Sequence, residues 1–226
     1  MNRPLDTATA TLEFFVGLVL NERDQHAIDL PSAKAKVAQT FGFREWQSIE
    51  TISQRCCSVL DPSTVRFTRT LETGLHNAWQ LITDQKHLSD WMFETKLELK
   101  VGGTFEFPTW KGIIGRLEHL SCIRFTAEAG GYSQFEIKQE GVRRTTVTIT
   151  DYLPEGMLVP DHLTQGSDVF GMNQHGGPGT HWAGLLAGWH MGSDSLEAYA
   201  SKRETSGEYI PLVRLYDALL VARNRD

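Results

Sequence analysis

The residues with the clearest chemical capacity are the eight histidines, and the densest group, His162, His175, His181 and His190, flanks a glycine-rich stretch. There is no His-Glu-x-x-His run of the kind a helical zinc site uses. His181 and His190 are nine residues apart, so on a helix they point about 180° apart and one ion cannot take both. The expectation is no metal and no cofactor. A nucleophile would need a base within reach, but there is no G-x-S-x-G turn, and His119 lies three residues from Cys122, on the opposite face of a strand. The run Gly176-Gly177-Pro178-Gly179 precedes a helix and could cradle an anion. It lacks the lysine of a phosphate-binding loop and is read as a loop.

Aromatic residues form the stronger signal. Trp79, Trp91, Phe93, Phe105, Phe107, Trp110, Phe125, Tyr132, Phe135, Trp182 and Trp189 all fall between residues 65 and 202. About two in three are expected to be plain core. A remainder lining a cavity would suit an apolar or aromatic ligand, with Arg69, Arg116, Glu136 or His181 as the few polar anchors that such pockets carry. The cavity candidates are Trp79, Trp91, Phe105, Phe107, Trp110, Phe125, Tyr132, Phe135, His181, Trp182 and Leu185.

These side chains need a scaffold, and the chain is long enough to supply a real core: 226 residues, with 40% hydrophobic. The net charge of −6 and the absence of a basic run argue against a nucleic acid or an anionic membrane as partner. Three cysteines, Cys56, Cys57 and Cys122, give neither a zinc spacing nor a paired disulfide framework, which fits a reducing cytoplasm. The apolar run Leu12 to Leu20 is interrupted by Glu13 and is too short to span a bilayer.

Three short helices are expected in the first 60 residues. Leu12, Phe15, Val16 and Val19 form one face over residues 7–20. Pro31 opens a second helix that Gly42 stops, and Phe43, Trp46, Ile49 and Ile52 mark a third. Glu45, Gln47, Ser48 and Glu50 leave that third helix unsuited to DNA. Asp61-Pro62-Ser63 reads as a turn. From Val65 the pattern changes to period two, then to helical spacing through Ala78, Trp79, Leu81 and Ile82 and a short turn to Met92. Strands are expected over 96–101, 104–107, 112–119, 122–128, 132–139 and 143–152, joined by tight turns as an antiparallel meander. Residues 180–202 form a long helix with Trp182, Leu185, Leu186, Trp189, Leu196, Tyr199 and Ala200 as its buried stripe and Asp194, Glu197, Ser201 and Lys202 opposite. A last helix carries Leu212, Leu215, Tyr216 and Leu219 inward. The domains read as 1–60, a helical appendage, and 61–226, the main domain with an extra C-terminal helix over 209–224. The connection Pro154 to Gly179 is long for a compact domain. Its Met157, Leu158, Val159, Val169, Phe170 and Met172 are expected to cover one end of the cavity.

The order strand, two short helices, antiparallel strands, long C-terminal helix resembles the helix-grip fold of the SRPBCC, or START/Bet v 1-like, superfamily. Trp79, Leu81-Ile82-Thr83-Asp84, Leu88, Trp91, Val101-Gly102-Gly103-Thr104-Phe105, Gly115-Arg116-Leu117-Glu118, Thr145 to Ile149 and Gly188-Trp189 look like the Aha1-C-terminal-domain-related family, activator of Hsp90 ATPase homologue 1-like. The likeness covers about Val65 to Lys202. Leu120-Ser121 stand where the family commonly has a proline. In the N-terminal segment, Phe41, Phe43 and Trp46 resemble a short GFxxW-type helical motif seen beside bacterial ligand-binding and ankyrin-type domains, a likeness that implies no activity. The resemblance implies an α+β fold, a curved antiparallel sheet of about seven strands around the long helix, enclosing a cavity for a small hydrophobic molecule. Two other readings stay open: a chaperone co-activator-like module that binds a protein partner or a second copy, and a cyclase- or hydrolase-type enzyme using cavity polar groups.

Overall fold

A computed structural model describes residues 7–61, 63–108, 110–128, 130–154, 179–205 and 208–223, apart from the side chains of 7–10, 59, 61, 179–182 and 220–223. The elements in chain order are α1 (Thr7–His26), α2 (Leu30–Phe41), α3 (Trp46–Ser53), β1 (Ser58–Asp61), β2 (Thr64–Leu71), α4 (Leu75–Thr83), α5 (Gln85–Trp91), β3 (Lys96–Leu97), β4 (Thr104–Glu106), β5 (Lys111–Glu118), β6 (Cys122–Ala127), β7 (Tyr132–Gly141), β8 (Arg144–Tyr152), α6 (Gly179–Ala200) and α7 (Tyr209–Arg223). They fall into two compact units. One gathers α1, α2, α3, α6 up to His190 and α7. The other gathers the sheet from Val59 on, α4, α5 and α6 from Met191. This grouping cuts the chain differently from 1–60 and 61–226, because α7 and half of α6 go with the N-terminal helices.

In the first unit, α1 runs six residues past the expected Leu20, and its buried positions are Thr11, Phe15 and Val19, each one turn beyond the last. Val16 lies off that stripe and is exposed. Phe15 meets the Phe41 ring edge-on at 5.0 Å. Asp29 caps α2 by accepting a hydrogen bond from the Ser32 N–H, and Gly42 ends it at φ +86°, a conformation glycine adopts without steric cost. His190 is buried and its Nδ1 lies 2.8 Å from the Tyr216 hydroxyl.

The second unit is built on one sheet of order β1-β2-β8-β7-β6-β5-β4-β3. The fold is α+β, as the alternating patterns predict, and the sheet of about seven expected strands has eight. The added strand is β1, whose four residues are too few for alternation to mark. The expected strand over 96–101 shortens to two residues, because Gly102 and Gly103 fold back so that the Gly102 N–H bonds the Ile114 carbonyl and the Ile114 N–H bonds that of Gly103. The register of β5 on β6 shifts between Ile114 and Arg116, an irregularity that bends a strand.

The C-terminal part of α6 is fixed to the rest of this unit by polar contacts. Arg69 of β2 donates from Nε to Asp194 at 2.7 Å, and the Tyr199 hydroxyl donates to Asp90 at 2.8 Å. The buried stripe of α6 is Ala183, Leu186, Ala187, His190, Ser193 and Leu196, so the expected stripe is rotated. Trp189, Leu185 and Tyr199 are only half-buried. Small residues let neighbouring elements approach closely, and polar partners for His190 and Asp194 favour a face that hydrophobicity alone does not select.

Asp90 yields a pH expectation. The Lys86 ammonium, at 2.9 Å, and then the Tyr199 hydroxyl hold its carboxyl below the usual carboxylate range. A depressed folded pKa gives stability that is present above the unfolded value and is lost as pH falls through the folded one, so the loss sets in below about pH 4. Urea midpoints of wild type and Asp90→Asn, measured at neutral and acid pH, should converge as the pH falls. Parallel curves would mean the contact adds nothing in solution.

Candidate functional site

Strand register decides which side chains share a face. Val65, Asp151 and Ser133 form one row that continues to Phe125 and Ile114. Phe67, Ile149, Phe135 and Ile123 form the next, and Arg69, Val147 and Ile137 the third. All of these residues are buried, so this is the inner face of the sheet.

The inner face carries a continuous ring cluster. Phe125 contacts Phe105, Phe107 and Phe135 with centroids 5.2, 5.3 and 5.8 Å apart, all edge-on. Phe105 and Phe107 both touch Trp110, at 4.9 and 5.2 Å, and Phe135 meets Trp91 at 6.3 Å. Edge-to-face packing of this kind lets rings fill space without face-to-face repulsion. Trp91 Nε1 donates to the Leu81 carbonyl at 2.8 Å, which satisfies the indole N–H and fixes the ring. Trp110 is half-buried, whereas Phe105, Phe107, Phe125 and Phe135 are almost fully enclosed.

Six of the eleven candidates, Trp91, Phe105, Phe107, Trp110, Phe125 and Phe135, thus come together. Trp79 is buried on α4, with its ring edge on His119 at 5.7 Å. Tyr132 lies on the opposite face of the sheet. Its ring stacks near Tyr152, and the Arg124 guanidinium sits 4.1 Å from its centroid. Alternation could not assign it, because period two orders residues into faces without saying which face is inner. Leu185 belongs to the other unit. The side chains of His181 and Trp182 and the loop residues 155–178, including the six apolar residues expected to cover the cavity, lie outside the described residues.

Of the four polar anchors, Arg69 is on the inner face and 5% exposed. Arg116 and Glu136 are on the outer one, where Arg116 pairs with Glu118 at 2.8 Å. The inner face also holds two polar residues that the sequence reading missed: the Ser133 hydroxyl donates to the Asp151 carboxylate, and both residues are buried. Ser133 stands two residues before Phe135 and Asp151 two after Ile149, so polar residues in the apolar phase of a strand were the available signal. Cys122 is on the outer face, and burial pushes its thiol up, which disfavours the reactive thiolate. Among the described residues no three His, Cys, Asp or Glu come together to hold a metal ion, and no helix is long and apolar enough to cross a membrane.

No protein-family model matches the chain, and no curated protein matches it. Solved structures do resemble it. A conserved protein of unknown function from Enterococcus faecalis, EF2215, shares 18% identity over 72% of this chain and 88% of its own, with a TM-score of 0.53. CalU16 from Micromonospora echinospora shares 16% identity over 70% and 86%, with a TM-score of 0.51. At these identities the likeness is one of fold.

Proposed function

We propose that this is a helix-grip protein of the START/Bet v 1-like superfamily that binds a small hydrophobic or aromatic molecule against the inner-face ring cluster. The observation that carries the reading is the combination of six touching aromatic rings with a few polar groups, Arg69, Ser133 and Asp151, on a single sheet face. Ligand sites are apolar and aromatic with a small number of placed polar groups, and that is the composition of this face. The half-buried Trp110 is the member of the cluster open to an incoming molecule.

Titration with N-phenyl-1-naphthylamine tests the proposal. Its fluorescence should rise and saturate at one molecule per chain, and Phe107→Ala should weaken binding by about tenfold or more, the loss expected when a large ring leaves an apolar site. Circular dichroism shows whether that variant keeps its fold. A rise that never saturates, or equal affinity in a folded Phe107→Ala variant, would overturn the reading. Co-purification of a stoichiometric protein partner with no probe binding would favour the co-activator-like alternative.

A further inference from the structure

A guanidinium presents five N–H groups. In Arg69, Nε donates to Asp194 at 2.7 Å and Nη1 to the Thr68 carbonyl at 2.9 Å, while Nη2 is buried and has no hydrogen-bond partner among the described residues. A buried donor left without an acceptor carries the full cost of its desolvation. On the inner face beside it, the Phe67 ring lies 5.9 Å from Cζ, and the register neighbours are Val147 and Ile137. Phe135, a member of the ring cluster, is two residues from Ile137 on the same face.

We infer that Nη2 of Arg69 anchors the carbonyl oxygen of a neutral aromatic ligand, a ketone, ester or amide, whose ring system lies against the cluster. The inference rests on the binding reading above. The neutral class follows from charge. Asp194 already balances the guanidinium, so a ligand carboxylate would set a second negative charge beside it in a buried setting, at a large desolvation cost. A carbonyl oxygen accepts the free N–H groups and needs no countercharge.

The test uses three probes of one shape: fluorene, 9-fluorenone and fluorene-9-carboxylate, titrated calorimetrically into the full chain. 9-Fluorenone should bind about tenfold or more tighter than fluorene, the gain of one hydrogen bond to a charged donor. That preference, read within each variant as the ratio of the 9-fluorenone to the fluorene affinity, should vanish in Arg69→Lys, which keeps a cation for Asp194, and in the doubly neutral Arg69→Met/Asp194→Leu. Equal affinity of wild type for fluorene and 9-fluorenone overturns the anchor and leaves the binding reading standing. Tighter binding of the carboxylate overturns the neutral class, and a ketone preference that survives in both variants overturns Arg69 as its source. If none of the three probes binds, the binding reading fails and takes the inference with it.

Discussion

Phe125→Ala is expected to destabilise the sheet-bearing unit by about 3–5 kcal/mol, the range for removing a fully buried aromatic ring. Phe125 is 0% exposed, and its ring touches those of Phe105, Phe107 and Phe135. Its loss removes the transfer energy of the ring and also strips edge contacts from three others, which are held between strands and cannot all move inward to refill the space. Whole domains are stable by only about 5–15 kcal/mol, so the variant should show a sharply lower urea midpoint. The binding reading adds a second consequence: N-phenyl-1-naphthylamine affinity should fall along with stability. A midpoint within error of wild type would mean that the cluster is loosely packed and that its rings do not form one cooperative core.

Asp194→Ala is expected to cost about 3 kcal/mol, because it leaves the Arg69 guanidinium buried without its countercharge. The Arg69 side chain is 4% exposed and that of Asp194 is 30% exposed, so the pair spans the boundary between core and solvent. Asp194 is the less buried partner, and once it is deleted the buried guanidinium lacks the negative charge that offsets its desolvation. Arg69→Met in the same background should recover most of the loss, since an apolar replacement of both partners removes the charge that had to be paired. Equilibrium unfolding of the two single variants and the double variant yields the coupling directly. Additive effects would show that the ion pair contributes no specific energy.

The helices and strands were legible because each carries a local signal. Pro31 and Gly42 bracket α2, and period two runs cleanly through Val65, Phe67, Arg69 and Leu71. The α+β class and the antiparallel meander follow from the order of those patterns and from tight glycine turns such as Gly130-Gly131, both at positive φ. Six of the eleven candidate residues come together in one ring cluster, since large rings concentrate where a fold buries the most surface.

What escaped the sequence depends on partners distant along the chain. Alternation assigned Tyr132 a phase but could not orient it, because the inner face is defined by the rows that β2, β8, β7 and β6 build together. Helical periodicity put Trp189 in the buried stripe of α6 and Asp194 outside it. The fold rotates that stripe, because Arg69 on β2, 125 residues earlier, supplies a charge that draws Asp194 inward. Ser133 and Asp151, 18 residues apart, became a buried hydrogen-bonded pair only through the β7–β8 register. Local propensity and periodicity are properties of a window of residues, whereas the pairing of buried polar groups depends on which windows the sheet sets side by side.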